Sequence, residues 1–279
     1  MIGLIDIGGT KLLAAVSTPS GSVGPVVRRA TSAAGASAVL VAMLREAGAG
    51  ARLDGVAVAV PGPFDRARGA LLAPPNMPTA WHGLELRAEL GGAFGGCPVV
   101  VENDANCAAL AEAREGAGRG AGTVLYVTVS TGIGMGLVSA GALVLGRHDS
   151  EAGHQVLWPG WLGGPPCPCG SAGCLEALAS GTAIHRRFGV RAEELEDLAA
   201  WADVGRWLGL GVANAVAVTD PDVVVLGGGV MAAAERFWPV LTETIAGAVR
   251  LQPVPTLRRA ELGVERNLVG ALALSAGRA

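Results

Sequence analysis

Five short apolar runs constrain the fold of this chain more than any other feature in it. They are Ile2–Ile7, Val56–Val60, Val99–Glu102, Val124–Val129 and Val223–Leu226; four give way directly to Gly, Pro or Asn, and Val124–Val129 reaches Gly132 through Ser130 and Thr131. A strand with one wet face alternates apolar and polar residues. Near-continuous runs like these belong in sheets covered on both faces. Helical patterns fall between them over Ser37–Ala49, Ala105–Ala113, Glu193–Val218 (with room for a break) and Ala232–Arg250. Pro253 and Pro255 stop the last of these, and Asn267–Ala276 reads as a short terminal helix. Such alternation predicts an α/β fold.

A repeat sharpens that expectation. Leu4–Ser17 reads L-I-D-I-G-G-T-K-L-L-A-A-V-S and Tyr126–Ser139 reads Y-V-T-V-S-T-G-I-G-M-G-L-V-S. Each is a strand, a tight Gly/Thr turn and a second strand, so the chain should consist of two similar halves. With 279 residues, 51% of them hydrophobic, it is long enough for two medium cores. The expected division is 1–118 with 266–279 in one domain and 119–265 in the other.

Charge excludes one class of partner. The net charge is −3, and no basic run exceeds a pair, so there is no footprint for a nucleic-acid backbone. The opening M-I-G-L-I-D-I-G-G-T-K lacks a basic segment followed by an apolar stretch and a cleavage site. Gly and Pro interrupt the apolar runs before they reach membrane-spanning length. A cytoplasmic protein with neither nucleic-acid nor membrane partners is expected, with its thiols reduced. Cys97 and Cys107 stand alone in apolar surroundings and read as small core residues. With 43 glycines in the chain, only glycine clusters at strand ends carry weight.

Several such clusters carry chemistry. Gly8, Gly9 and Thr10 can bring backbone N–H groups and a hydroxyl up to an anion, as can Thr131, Gly132 and Gly134. Either turn alone is an ordinary hairpin; the pair, one per half, reads as a phosphate clamp. Asp6 sits near the end of the first strand and Lys11 follows its turn. A carboxylate beside bound phosphates commonly serves Mg²⁺, directly or through water. In V-V-V-E-N-D-A-N, residues 99–106, Asp104 reads either as a helix N-cap or as a base at the carboxyl end of a parallel strand, where ligands bind. A carboxylate there can take the proton of a hydroxyl attacking phosphorus, with Asn103 holding the same substrate. Asn76, in P-N-M-P-T-A-W, reads either as a polyol contact or as a cap. Gly227, Gly228 and Gly229 follow a buried strand. They leave bare backbone for a base or ribose, although a tight strand–helix turn explains them equally well.

The segment C-P-C-G-S-A-G-C places Cys167, Cys169 and Cys174 within one short loop. Three thiolates do not close a tetrahedral site. His154, in E-A-G-H upstream, offers the fourth ligand, and a Cys₃His set suits structural Zn²⁺. An iron–sulfur cluster generally takes four cysteines.

In this order, D-I-G-G-T-K, P-G-P, E-N-D-A-N, S-T-G-I-G, E-A-G-H, C-x-C-G-x-x-G-C-x-E and L-G-G-G resemble the ROK family of sugar kinases and repressors, within the hexokinase–actin ATPase superfamily. The resemblance spans nearly the whole chain. It implies two actin-like (ribonuclease H-like) domains with a cleft between them and ATP-dependent phosphorylation of a hexose, glucose first. An N-acetylmannosamine or N-acetylglucosamine kinase is the alternative. It further implies that Asp6 to Lys11 and Ser130 to Gly134 are the phosphate loops, that Gly227 to Gly229 meet the adenosine, and that Asp104 is the catalytic base. Asn103, Glu151, His154 and Glu176 become sugar contacts, and His154, Cys167, Cys169 and Cys174 zinc ligands. One imidazole nitrogen would then bind zinc while the other reaches a sugar hydroxyl. A homodimer is also implied.

Three features depart from the family pattern. W-P-G-W-L-G-G-P-P lengthens the interval between His154 and Cys167, Met135 stands where Gly is common, and G-R-H-D-S-E replaces the usual small-residue approach to Glu151. Two rival readings follow from the family. A sugar-responsive repressor would carry a winged-helix segment before Asp6, where none is expected. A catalytically dead sugar binder would not need intact phosphate loops and Asp104.

Overall fold

The structure, a computed structural model, describes residues 1–33, 35–74, 77–147 and 149–276. The chain divides into two units. The first is Met1–Ala111 with Gly146–Asp149 and Leu262–Ala279; the second is Glu112–Leu145 with Ser150–Glu261.

In the first unit, β1 (Ile2–Ile7) and β2 (Lys11–Val16) make the expected hairpin, and β3 (Val27–Ala30) extends it. There follow α1 (Ala36–Ala47), β4 (Gly55–Val60), a small ladder of β5 (Phe64–Asp65) and β6 (Ala70–Leu71), α2 (Leu86–Ala93), β7 (Val99–Asn103) and α3 (Asp104–Arg114). The sheet order is β3-β2-β1-β4-β7, with β4 parallel to both β1 and β7.

Side chains alternate across a sheet, and here both faces are buried. Ile5, Ile7, Val56, Val58 and Val60 pack with Leu40 and Leu44 of α1 and Leu86 and Leu90 of α2. Leu4, Ala57 and Ala59 pack on the other face with Cys107 of α3 and with Leu268 and Ala271 of the C-terminal helix. That is why the strands read as unbroken apolar runs. Asp6 shares the parity of Leu4 and therefore faces the C-terminal helix. This helix lies so close to α3 that a side chain at Gly270 would meet the Cys107 carbonyl.

The second unit repeats the plan. β8 (Thr123–Val129), β9 (Ile133–Ser139) and β10 (Ala142–Leu143) form an antiparallel meander. After α4 (Leu175–Ala179), α5 (Gly181–Phe188) and α6 (Leu198–Thr219), β11 (Val223–Gly227) runs parallel to β8. Beyond α7 (Trp238–Ala248), β12 (Thr256–Arg259) runs parallel to β11; the C-terminal helix of the first unit, Arg266–Ala276, is α8. The order β10-β9-β8-β11-β12 reproduces, strand for strand, that of the first sheet. Leu125, Val127, Val129, Val224 and Leu226 pack against Trp201, Val204, Leu208 and Val212 of α6 and Leu241 and Ile245 of α7.

Two helices differ from the sequence expectation. The pattern over Glu193–Val218 becomes helical only at Leu198, because Asp197 accepts the N–H groups of Ala199 (2.8 Å) and Ala200 (3.3 Å) and caps there. The pattern over Ala232–Arg250 is two pieces, a 3₁₀ stretch Gly229–Arg236 and then α7. Phe237 lies at the break, where its ring is buried and stacks on Trp201 at 5.3 Å. Burying that ring outweighs helical continuity. Among the described residues, no helix is long and apolar enough to cross a membrane.

Candidate active site

In the first unit, the β1–β2 turn is held from within and from outside. The Gly8 N–H donates to the Lys11 carbonyl (3.0 Å), the Thr31 hydroxyl to the Gly8 carbonyl (2.6 Å), and the Thr31 N–H to the Thr10 carbonyl (3.1 Å). Gly8 and Gly9 are half-buried, and Thr10 and Lys11 are exposed. Asp6 is buried beneath this turn, and Asn267 of α8 donates to its Oδ1 at 3.1 Å. Burial pushes the Asp6 carboxyl up to about 6, against the opposing pull of Asn267, Lys11 and Arg266.

At the β7–α3 junction the cap that the sequence offered to Asp104 falls on Asn103 instead. Asn103 caps the helix: its Oδ1 accepts the N–H groups of Ala105 (2.8 Å) and Asn106 (3.4 Å). Asp104 begins α3, its Oδ1 accepting the Ala105 N–H at 2.8 Å, and both residues are half-buried. Behind them Glu102 is 4% exposed. Its Oε1 accepts from the Asn103 N–H (2.8 Å) and the Asn106 side-chain amide (2.9 Å), and its Oε2 pairs with Arg66. Asn76 lies outside the described residues.

In the second unit, the Ser130 N–H donates to the Gly132 carbonyl across the β8–β9 turn (2.8 Å). Glu176, at the start of α4, lies on this turn. Its Oε2 accepts the Ile133 N–H at 3.0 Å, and a side chain at Gly132 would run into its carboxylate. The N–H groups of Gly181 and Thr182 donate to the carbonyls of Ser130 (2.7 Å) and Thr131 (3.2 Å). Met135 is buried in the core, so this departure from the family pattern leaves the turn itself untouched. At the end of β11, Gly228 has φ +98° and would press any side chain onto Val129, so only glycine fits. Gly227 ends the strand and Gly229 opens the 3₁₀ stretch.

The cysteine loop closes on His154. The candidate ligand atoms of His154, Cys167, Cys169 and Cys174 all lie within 4.8 Å of one another. A tetrahedral ion with Zn–S bonds of about 2.3 Å sets its sulfurs about 3.8 Å apart. The Cys169 and Cys174 sulfurs are 3.7 Å apart, and the His154 Nδ1 is 3.4 Å from the Cys167 sulfur. The donor set therefore fits zinc, with Nδ1 as the ligand nitrogen. Without a cation, burial and the two neighbouring thiols push Cys174 up to about 12.

The spacer before these cysteines is itself ordered. Trp158 stacks on Trp207 of α6 at 5.7 Å and 8°, and its indole N–H donates to the Leu162 carbonyl (2.6 Å). The N–H groups of Leu157 and Trp158 donate to the Gly173 carbonyl (2.8 and 3.1 Å). Trp161 remains 85% exposed. Glu151 is exposed at the start of the turn that carries His154, and its carbonyl accepts the His154 N–H (2.8 Å).

Spacing reasoning missed Arg66, Asp149 and Asn267. Arg66 touches Glu102 and Asp149, and Asn267 touches Asp6, each from a distant place in the chain, and no local pattern marks such contacts.

Two α/β units of identical strand order, each with a glycine-bearing hairpin turn, define the two-domain actin-like ATPase class. The chain belongs to the ROK family, whose pattern it matches over residues 2–278. It resembles the ROK hexokinase of Thermus thermophilus, with a TM-score of 0.88 and 38% identity over 100% of this chain and 99% of that one. A ROK glucokinase from Streptomyces griseus, solved with glucose and AMPPNP, aligns with a TM-score of 0.82 and 28% identity over 98% of each chain. The glucokinase of Thermotoga maritima is 33% identical over 276 residues, 86% of each chain.

Proposed function

We propose that the protein is an ATP-dependent sugar kinase that converts glucose to glucose 6-phosphate. The observation that carries this reading is the β7–α3 junction. Asn103 takes the capping duty there, so Asp104 is set at a half-buried helix start beside an amide. Its match along nearly its whole length to a glucokinase that binds glucose and an ATP analogue supports the same reading.

In the first unit, Asp104 takes the proton of the attacking C6 hydroxyl and Asn103 orients the sugar. The turn of Gly8, Gly9 and Thr10, with Lys11, contributes N–H groups and positive charge to the phosphates. In the second unit, Thr131, Gly132 and Gly134 do the same, Gly227 to Gly229 lie against the adenosine, and Glu151, His154 and Glu176 contact the sugar. Asp6 suits Mg²⁺, because a cation supplies the favourable charge that burial denies its carboxylate; bound Mg²⁺ would neutralise the transferred phosphoryl group. His154, Cys167, Cys169 and Cys174 suit Zn²⁺, which would fix the imidazole so that Nε2 faces a sugar hydroxyl. A cytoplasmic homodimer completes the proposal.

A panel of hexoses and N-acetylhexosamines, read by ADP release, tests it. Glucose should give the highest kcat/KM. Preference for N-acetylmannosamine would reassign the substrate, and no turnover with any sugar would sink the kinase reading.

A further inference from the structure

Arg66 lies outside every motif, in the loop after the β5 strand Phe64–Asp65. Its backbone is fixed, because the β5–β6 ladder closes the loop on both sides of it and Arg87 donates to its carbonyl at 3.1 Å. Its side chain runs over the Phe64 ring, 5.2 Å from the centroid, and Nε is buried. The two ends of the guanidinium then go to two different carboxylates. Nη1 pairs with Glu102 and Nη2 with Asp149. Both are almost fully buried, at 5% and 7% side-chain exposure.

The two carboxylates stand where the chemistry is anchored. Glu102 directly precedes Asn103 and Asp104, and its other oxygen holds the Asn103 N–H and the Asn106 amide. Asp149 comes two residues before Glu151 along the chain, within the G-R-H-D-S-E departure from the family pattern. Without a shared cation, two desolvated carboxylates would repel across this spot. A planar guanidinium satisfies both with separate N–H groups, whereas a single ammonium is a point charge and cannot span them.

We infer that Arg66 is a positioning residue for phosphoryl transfer. It locks Glu102, and through Glu102 the Asn103–Asp104 junction, while holding Asp149, two residues before Glu151. The inference rests on the kinase reading for its kinetic consequence, but its structural part stands apart from that reading.

The test uses the full-length, zinc-loaded protein and the variants Arg66→Met, Arg66→Lys and Asp149→Asn. Arg66→Met should lower kcat/KM for the sugar on the order of 10- to 100-fold, the penalty of misplacing a base by a fraction of an ångström. KM for ATP and zinc content should stay at the wild-type level. Arg66→Lys should keep most of the sugar defect although the charge is retained. Asp149→Asn, which leaves the Glu102 pair intact, should raise sugar KM more than it lowers kcat. Amide exchange at residues 103–106 and 146–149 should quicken in Arg66→Met, whether or not the wild type turns over any hexose in the panel. Wild-type kinetics in Arg66→Lys would overturn the inference, because charge alone would then suffice. Unchanged exchange at both segments in Arg66→Met would overturn it too. If that variant fails to fold, exchange and sugar KM in Asp149→Asn decide in the same way. An inactive wild type with quickened exchange in the variant would sink the kinase reading and leave the positioning role standing.

Discussion

Asp6 is held at a cost, and Asp6→Asn should reveal how large that cost is. Burial raises its carboxyl from 3.8 to about 6. A shift of about 2 units, at about 1.36 kcal/mol per unit, makes the ionised form roughly 3 kcal/mol worse in the folded chain than in the unfolded one. Between those two values the folded state binds more protons, so stability falls as pH rises through the window. The penalty is absent below about pH 4 and fully present above about pH 7. An amide of the same shape can still accept the Asn267 bond through its carbonyl and carries no charge. In the Mg²⁺-free protein, the variant should therefore be more stable than wild type by up to about 3 kcal/mol near pH 8 and nearly equal to it near pH 4. The assay is amide exchange of β1 and β4, which reads the stability of the unit containing Asp6. ADP release should collapse in the same variant, which would show stability given up for function. A stability gap that does not change between the two pH values would refute the reasoning, because it would locate the effect in packing rather than ionisation.

Three further outcomes are expected. Asp104→Ala should retain the fold, since Asn103 already caps α3, and should lose nearly all phosphoryl transfer; wild-type turnover by a correctly folded sample would remove Asp104 from the mechanism. Cys169→Ser removes one sulfur of the four-ligand group and should lower both zinc content and sugar affinity; isothermal titration showing loss of zinc with unchanged sugar affinity would reduce the loop to a fold element. Gly270→Ala would push α8 off the Cys107 carbonyl and should destabilise the first unit by about 1–3 kcal/mol, seen as a lower urea midpoint, and an unshifted midpoint would disprove the close approach.

The five buried strands were legible because both faces of each sheet are covered, which leaves the apolar signal unbroken. The edge strands Val27–Ala30 and Thr256–Arg259 were not, because their exposed Arg side chains erase any period. α4 and α5 were hidden for another reason. They are short, and what fixes them is their tie to the Ser130–Thr131 turn, a contact between distant parts of the chain. At the site, the glycine turns, the Asn103–Asp104 pair and the cysteine loop announced themselves through residue type and spacing. Their supports did not. Asn267 touches Asp6 from the far end of the sequence, and Arg66 reaches Glu102 and Asp149 from a loop with no pattern of its own.

The stacked indoles of Trp158 and Trp207 bear on how the metal arrives. In a small zinc finger the ion must organise its own ligands, so binding and folding are one event. Here an aromatic clasp and the bonds of Leu157 and Trp158 to Gly173 already secure the loop beside α6. Because these contacts involve none of the four candidate ligands, a chelator should strip zinc held there and added zinc should restore it without the chain passing through an unfolded state.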